Sequence, residues 1–102
     1  MSDLNRRILD TIVEETVSLL IKKNRDYGDS YFNLRREFGP VAFVVRLADK
    51  CERLKCLLKN EPQVKEEREE DTIKDIIGYC LLELYFRKTL QTGGGDGENK
   101  QS

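Results

Sequence analysis

Pro40 and Pro62 are the only prolines in the chain, and they divide it into long stretches in which a helix need not break. Outside the run Gly93–Gly97, only Gly28, Gly39 and Gly78 add to that punctuation. Three helices are predicted, over residues 3–24, 40–60 and 63–91. In the first, Leu4, Ile8, Ile12, Thr16 and Leu19 recur at three-to-four spacing beside a second row, Leu9, Val13, Val17 and Leu20, with Ser2 or Asp3 as cap. Pro40 opens the second helix, where its missing N–H costs nothing, and Val44, Leu47, Cys51, Leu54 and Leu58 give it a core face. The third carries Ile73, Ile77, Cys80 and Leu84 at core spacing, and Gly78 in its middle implies close packing or a close ligand.

One all-α domain over residues 1–92 is expected, followed by a disordered glycine-rich tail, 93–102. Every helix is apolar on more than one face, which so short a chain cannot cover alone. The expected assembly is therefore a three-helix protomer that completes a helical bundle as a homodimer or tetramer. Between the first two helices, Lys22–Gly39 is polar and aromatic with no clear period. It reads as a loop, either pinned to the core by Tyr27, Tyr31 and Phe32 or lying beside a site as a base-stacking lid.

Charge and residue type narrow the chemistry. The net charge of −1 provides no basic field, so nucleic acid is not an expected partner. The absence of histidine excludes histidine-dependent triads and histidine-containing zinc sites. There is no apolar run long enough to span a membrane and no signal-peptide pattern, so a cytoplasmic location is expected. Cys51, Cys56 and Cys80 are odd in number and form no C-x-x-C pair, which reads as buried thiols in a reducing compartment.

The charges are unevenly distributed. Residues 61–75 hold seven acids against three bases, whereas 46–59 hold five bases against two acids. Glu67, Asp71 and Asp75 stand at i, i+4 and i+8, on one helical face that Tyr79 and Leu82 continue. Stacked carboxylates repel, so something cationic should face them: a divalent ion, a basic neighbour or water. Acids in a first helical turn also suit the helix dipole, which accounts for Glu66, Glu67, Glu69 and Glu70 without any ligand. Asp71 and Asp75 lie too deep in the helix for that explanation.

Folded back antiparallel, the second and third helices would set Asp49 and Glu52 against Glu67, Asp71 and Asp75. Oxygen ligands of this kind suit Mg²⁺ or Mn²⁺. Arg46, Lys50 and Arg53, with Lys22 and Lys23, could hold phosphate oxygens. Acidic wall, basic flank and aromatic loop together fit a nucleoside triphosphate; two helices with solvated charge fit the same residues.

Three blocks add to this: K-N-R-D-Y-G-D-S-Y (23–31), R-L-A-D-K-C-E-R-L (46–54) and E-x-x-x-D-T-I-K-D-I-I-G-Y (67–79). In this order they resemble a phage and prophage family, the nucleotide-modification-associated domain related to the MazG-like all-α NTP pyrophosphohydrolases. The resemblance spans residues 20–88 and implies an oligomeric MazG-like helical fold with an acidic Mg²⁺ site for nucleotides. It implies metal-binding and catalytic roles for Asp49, Glu67, Asp71 and Asp75, with Glu52 beside them. Phosphate contacts fall to Lys50 and Arg53, and the nucleotide side to Asp26, Tyr27 and Gly28, with Lys23, Arg46 and Tyr79 completing the substrate set. MazG-like enzymes pair E-x-x-E with E-x-x-D, whereas this chain has D-x-x-E and D-x-x-x-D. The expected function is a Mg²⁺-dependent nucleotide pyrophosphohydrolase acting on a nucleoside triphosphate or a modified nucleotide. A non-catalytic, sequestering nucleotide binder and a purely structural helical oligomer are the alternatives.

Overall fold

The computed structural model describes residues 3–59 and 65–90; the predicted tail at 93–102 and cap at Ser2 lie outside them. Among the described residues four α-helices follow in order, α1 (Arg6–Tyr27), α2 (Ser30–Phe38), α3 (Val41–Lys59) and α4 (Lys65–Tyr85), and α4 runs on into a π-helical turn, Phe86–Leu90. The architecture is all-α, but it has one helix more than predicted. No described helix is long and apolar enough to cross a membrane. The chain divides into two compact units at Ser30 and Tyr31.

The first unit is essentially α1. Its cap is Asn5 rather than Asp3, because a capping side chain must directly precede the first helical turn. Asn5 Oδ1 accepts from the Arg7 N–H at 2.9 Å and the Ile8 N–H at 3.2 Å. At the other end Gly28 turns left-handed, φ 61°, and its N–H bonds to the Asn24 carbonyl. Asp29 is left-handed as well, φ 62°, an uncommon state for a residue with a side chain. Asn24 Nδ2 donates to Asp29 Oδ1 at 2.8 Å and so supports that conformation. Ile8, Val13 and Ile21 are exposed along α1, as is Leu4 just before it.

Residues 30–38, expected to be a loop, form α2 instead, and from Tyr31 onward this helix belongs to the second unit. Tyr31, Phe32 and Arg35 make up its buried face, one residue of which is a cation, so hydrophobic periodicity missed it. Tyr31 and Phe32 are therefore core residues, which removes them as a stacking lid. Gly39, φ 80°, caps α2 through its N–H to the Arg35 carbonyl at 2.9 Å. The backbone then enters α3 with the Phe43 N–H bonded to the Pro40 carbonyl at 3.1 Å.

Helices α3 and α4 are antiparallel, since Lys50 meets Asp75 while Arg46, one turn earlier, meets Tyr79, one turn later. The core gathers Tyr31, Phe32 and Phe86, with Phe43, Tyr79 and Leu82 packed against them. Phe32 lies 5.7 Å from Tyr85 and 6.4 Å from Phe86 between ring centroids. This aromatic interior turns α4 away from its predicted face. Ile73, Ile77 and Leu84 are exposed, and Thr72, Gly78, Glu83 and Phe86 are buried. An aromatic ring buries about 150–250 Å², more than an isoleucine, so the aromatic face takes the interior. Thr72 bonds within its own helix, donating to the Arg68 carbonyl at 3.0 Å.

A similar rotation affects α3. Ala42 and Leu57 are buried and Phe43, Leu47 and Leu54 half-buried, while Val44 and Leu58 of the predicted core face are exposed. The thiols are corrected with it, because Cys51 and Cys56 are exposed and Cys80 is half-buried.

Candidate functional site

The seam between α3 and α4 brings together four of the residues singled out by sequence. Lys50 Nζ lies 3.3 Å from Asp75 Oδ2, with both side chains largely covered, at 21% and 25% exposure. One turn away, the Arg46 guanidinium carbon lies 5.9 Å from the centre of the Tyr79 ring. Tyr79 in turn packs against Tyr31, with ring centroids 5.7 Å apart, so the seam is anchored directly on the aromatic core. The cation facing the acidic face at this point is thus a basic neighbour.

The remaining predicted residues are placed differently. Asp49, Glu52 and Arg53 are exposed on α3, and Glu52 pairs with Lys55 of its own helix at 3.8 Å. Asp71 is exposed on α4, and the side chain of Glu67 lies outside the described residues. The expected facing wall of Asp49 and Glu52 against Asp71 and Asp75 is therefore not formed at the seam, where Lys50 and not Asp49 meets Asp75. In the first unit, Lys23 is half-buried and Asp26, Tyr27 and Gly28 are exposed. Carboxylate oxygens are the right donors for Mg²⁺ or Mn²⁺, but among the described residues no three acids or cysteines gather closely enough to hold an ion.

Sequence reasoning missed the most buried polar cluster. Glu83, 2% exposed, accepts from Arg35 Nε at 2.9 Å, Arg35 Nη2 at 3.1 Å, Arg87 Nε at 2.6 Å and the Tyr31 hydroxyl at 2.7 Å. Arg35 also stacks on Phe86, 4.5 Å from the ring centre. Burial alone would push the Glu83 carboxyl up, but hydrogen bonds from Arg35, Arg87 and Tyr31 outweigh it and hold the pKa at about 2. The Tyr31 hydroxyl is raised, by burial first and then by its bond to the Glu83 carboxylate. The available signal was a pair of i, i+4 sets, Tyr31 with Arg35 and Glu83 with Arg87. This cluster fastens α2 to α4, and α4 carries Asp75 and Tyr79.

A family model described as Nucleotide modification associated domain 1 matches residues 23–85, well over half of the chain. The chain belongs to this family. No curated protein and no solved structure is similar enough to match it. The Nucleotide modification associated domain 1 match takes in the end of α1, all of α2 and α3, and α4 to its last α-helical residue. The seam and both acceptor oxygens of Glu83 thus fall inside the family's span.

Proposed function

We propose that this chain binds a nucleoside triphosphate or a modified nucleotide at the α3–α4 seam and hydrolyses it to a monophosphate and pyrophosphate. The observation that carries the reading is the half-buried row of Arg46 and Lys50 on α3, facing Tyr79 and Asp75 on α4. The family's name, with its reference to nucleotide modification, supports the same ligand class. Lys50 and Arg46 steady the phosphates, with Arg53 further along the same helix. In the reaction, water oxygen bonds to phosphorus, its proton passing to the Asp75 carboxylate and on to solvent, as the P–O bond to the departing pyrophosphate breaks. Mg²⁺ or Mn²⁺ would be the cofactor. Of the expected ligands whose side chains are described, Asp75 lines the seam whereas Asp49, Glu52 and Asp71 are exposed elsewhere on α3 and α4. The substrate's own phosphates would therefore have to complete the ion's shell. Such an ion supplies charge neutralisation and a more acidic bound water. A screen of canonical and modified nucleotides with each ion should show pyrophosphate release. No release from any of them defeats the hydrolase.

One observation favours a second reading. Lys50 already balances Asp75, so the seam is suited to hold a nucleotide without turning it over. Calorimetry with and without EDTA separates the two, because a sequestering binder is indifferent to chelator and returns its ligand unchanged.

The working form proposed is a homodimer or tetramer in a bacterial cytoplasm, the chain being of phage origin. Val41, Val44, Val45, Ile73, Ile77 and Leu84 are all exposed in the second unit, an apolar burden that a monomer rarely bears. Light scattering at micromolar concentration should give two or four times the 11.9 kDa protomer mass. A stable monomer would count decisively against an assembly.

A further inference from the structure

Lys50 and Arg46 are held in the seam by different means. Lys50 already gives its charge to Asp75 at 3.3 Å. Arg46 is half-buried and lies over the Tyr79 ring, and among the described residues no carboxylate pairs with it. A guanidinium held by a ring face still offers its planar fork of N–H groups, which can grip a phosphate through two parallel hydrogen bonds. The separation of 5.9 Å stands at the limit of a cation–π contact, about 6 Å, so a small displacement of the ring releases the cation. Tyr31 is the residue that fixes the ring. It is buried, its centroid lies 5.7 Å from that of Tyr79, and its hydroxyl donates to Glu83 Oε1 at 2.7 Å. Glu83 is itself tied by Arg35 and Arg87, so the Tyr31 ring cannot swing without breaking a bond to an immobile carboxylate.

We infer that Tyr31 is a positioning residue for the seam: it holds the Tyr79 ring, and through that ring the Arg46 guanidinium, in place to grip a ligand phosphate. Arg46 makes the contact, and Tyr31 touches no ligand. A guanidinium already in place loses little freedom when the phosphate arrives, which is where the gain in affinity comes from. The buried Glu83 cluster thereby has a second duty besides fastening α2 to α4, since its carboxylate sets the ring that sets the cation. This role rests on the seam being the nucleotide site proposed above, and it names what orders the phosphate contact there.

Calorimetric titration of the full chain with inorganic pyrophosphate, a group common to nucleoside triphosphates, tests it. The wild type should bind, and Arg46→Met should bind more weakly. Tyr31→Phe keeps the ring and removes only its bond to Glu83, and should weaken binding by about 3- to 30-fold. In the Arg46→Met background Tyr31→Phe should have no further effect, because no guanidinium remains to be positioned. A merely structural loss would lower the affinity equally in both backgrounds. Tyr79→Leu breaks the same relay away from Glu83 and carries the same expectations, so it decides the matter if Tyr31→Phe does not fold. Wild-type affinity in Tyr31→Phe or Tyr79→Leu, or a loss that persists in the Arg46→Met background, overturns the positioning role and leaves the nucleotide site standing. No pyrophosphate binding by the wild type overturns both.

Discussion

Glu83→Gln should lower the melting temperature by about 12 °C or more, because removing one partner from a buried ion pair typically costs about 3–5 kcal/mol and each kcal/mol moves a domain of this size by about 4–8 °C. The amide keeps the shape but not the charge, leaving Arg35, 8% exposed, without its carboxylate. Arg35→Met alone should be similarly costly, and the double variant Arg35→Met with Glu83→Met should recover much of the loss. The same group imposes a pH dependence. Its pKa falls from 4.5 to about 2 on folding, so its stabilisation is complete above 4.5 and is lost as pH falls towards 2. A shift of this size corresponds to about 3 kcal/mol. Melts between pH 7 and pH 2 should show that decline in the wild type and a flatter one in Glu83→Gln. A variant melting within a few degrees of wild type would mean that the cluster is not what joins α2 to α4.

Asp75→Ala should reduce pyrophosphate release about 100–10,000-fold, the usual contribution of a positioned base, here the carboxylate that orients the attacking water. The fold should survive, because Lys50, 21% exposed and on a long flexible stem, can bring its ammonium to water once its partner is removed. Steady-state turnover and a melt of the same preparation check both halves of the expectation. A variant with wild-type turnover removes Asp75 from the chemistry.

Much of this was legible in the chain. Pro40 and the acidic start of α4 marked two helices, and four residues spaced along the predicted walls, Arg46, Lys50, Asp75 and Tyr79, do meet. Three features were not legible. Helix α2 buries Arg35 beside Tyr31 and Phe32, and a buried cation is invisible to any pattern of apolar residues. The azimuths of α3 and α4 were misjudged because Ile73 and Val44 score as core while the aromatic rings fill the interior. Asp49 was set opposite the acidic stripe, a choice between faces that spacing alone does not make. Lys50, one residue along, points to the seam instead.

The left-handed pair at Gly28 and Asp29 bears on what similarity in this block conveys. A side chain at Gly28 would meet nothing within 4 Å, so space is not what glycine provides there; torsional freedom is. Asp29 adopts the same handedness with Asn24 bonded to its carboxylate. Asn24, Gly28 and Asp29 in K-N-R-D-Y-G-D-S-Y thus spell an instruction to the backbone, whatever molecule the neighbouring Tyr27 meets. A relative that shares these letters shares a bend in its chain, and what it binds has to be read from other positions.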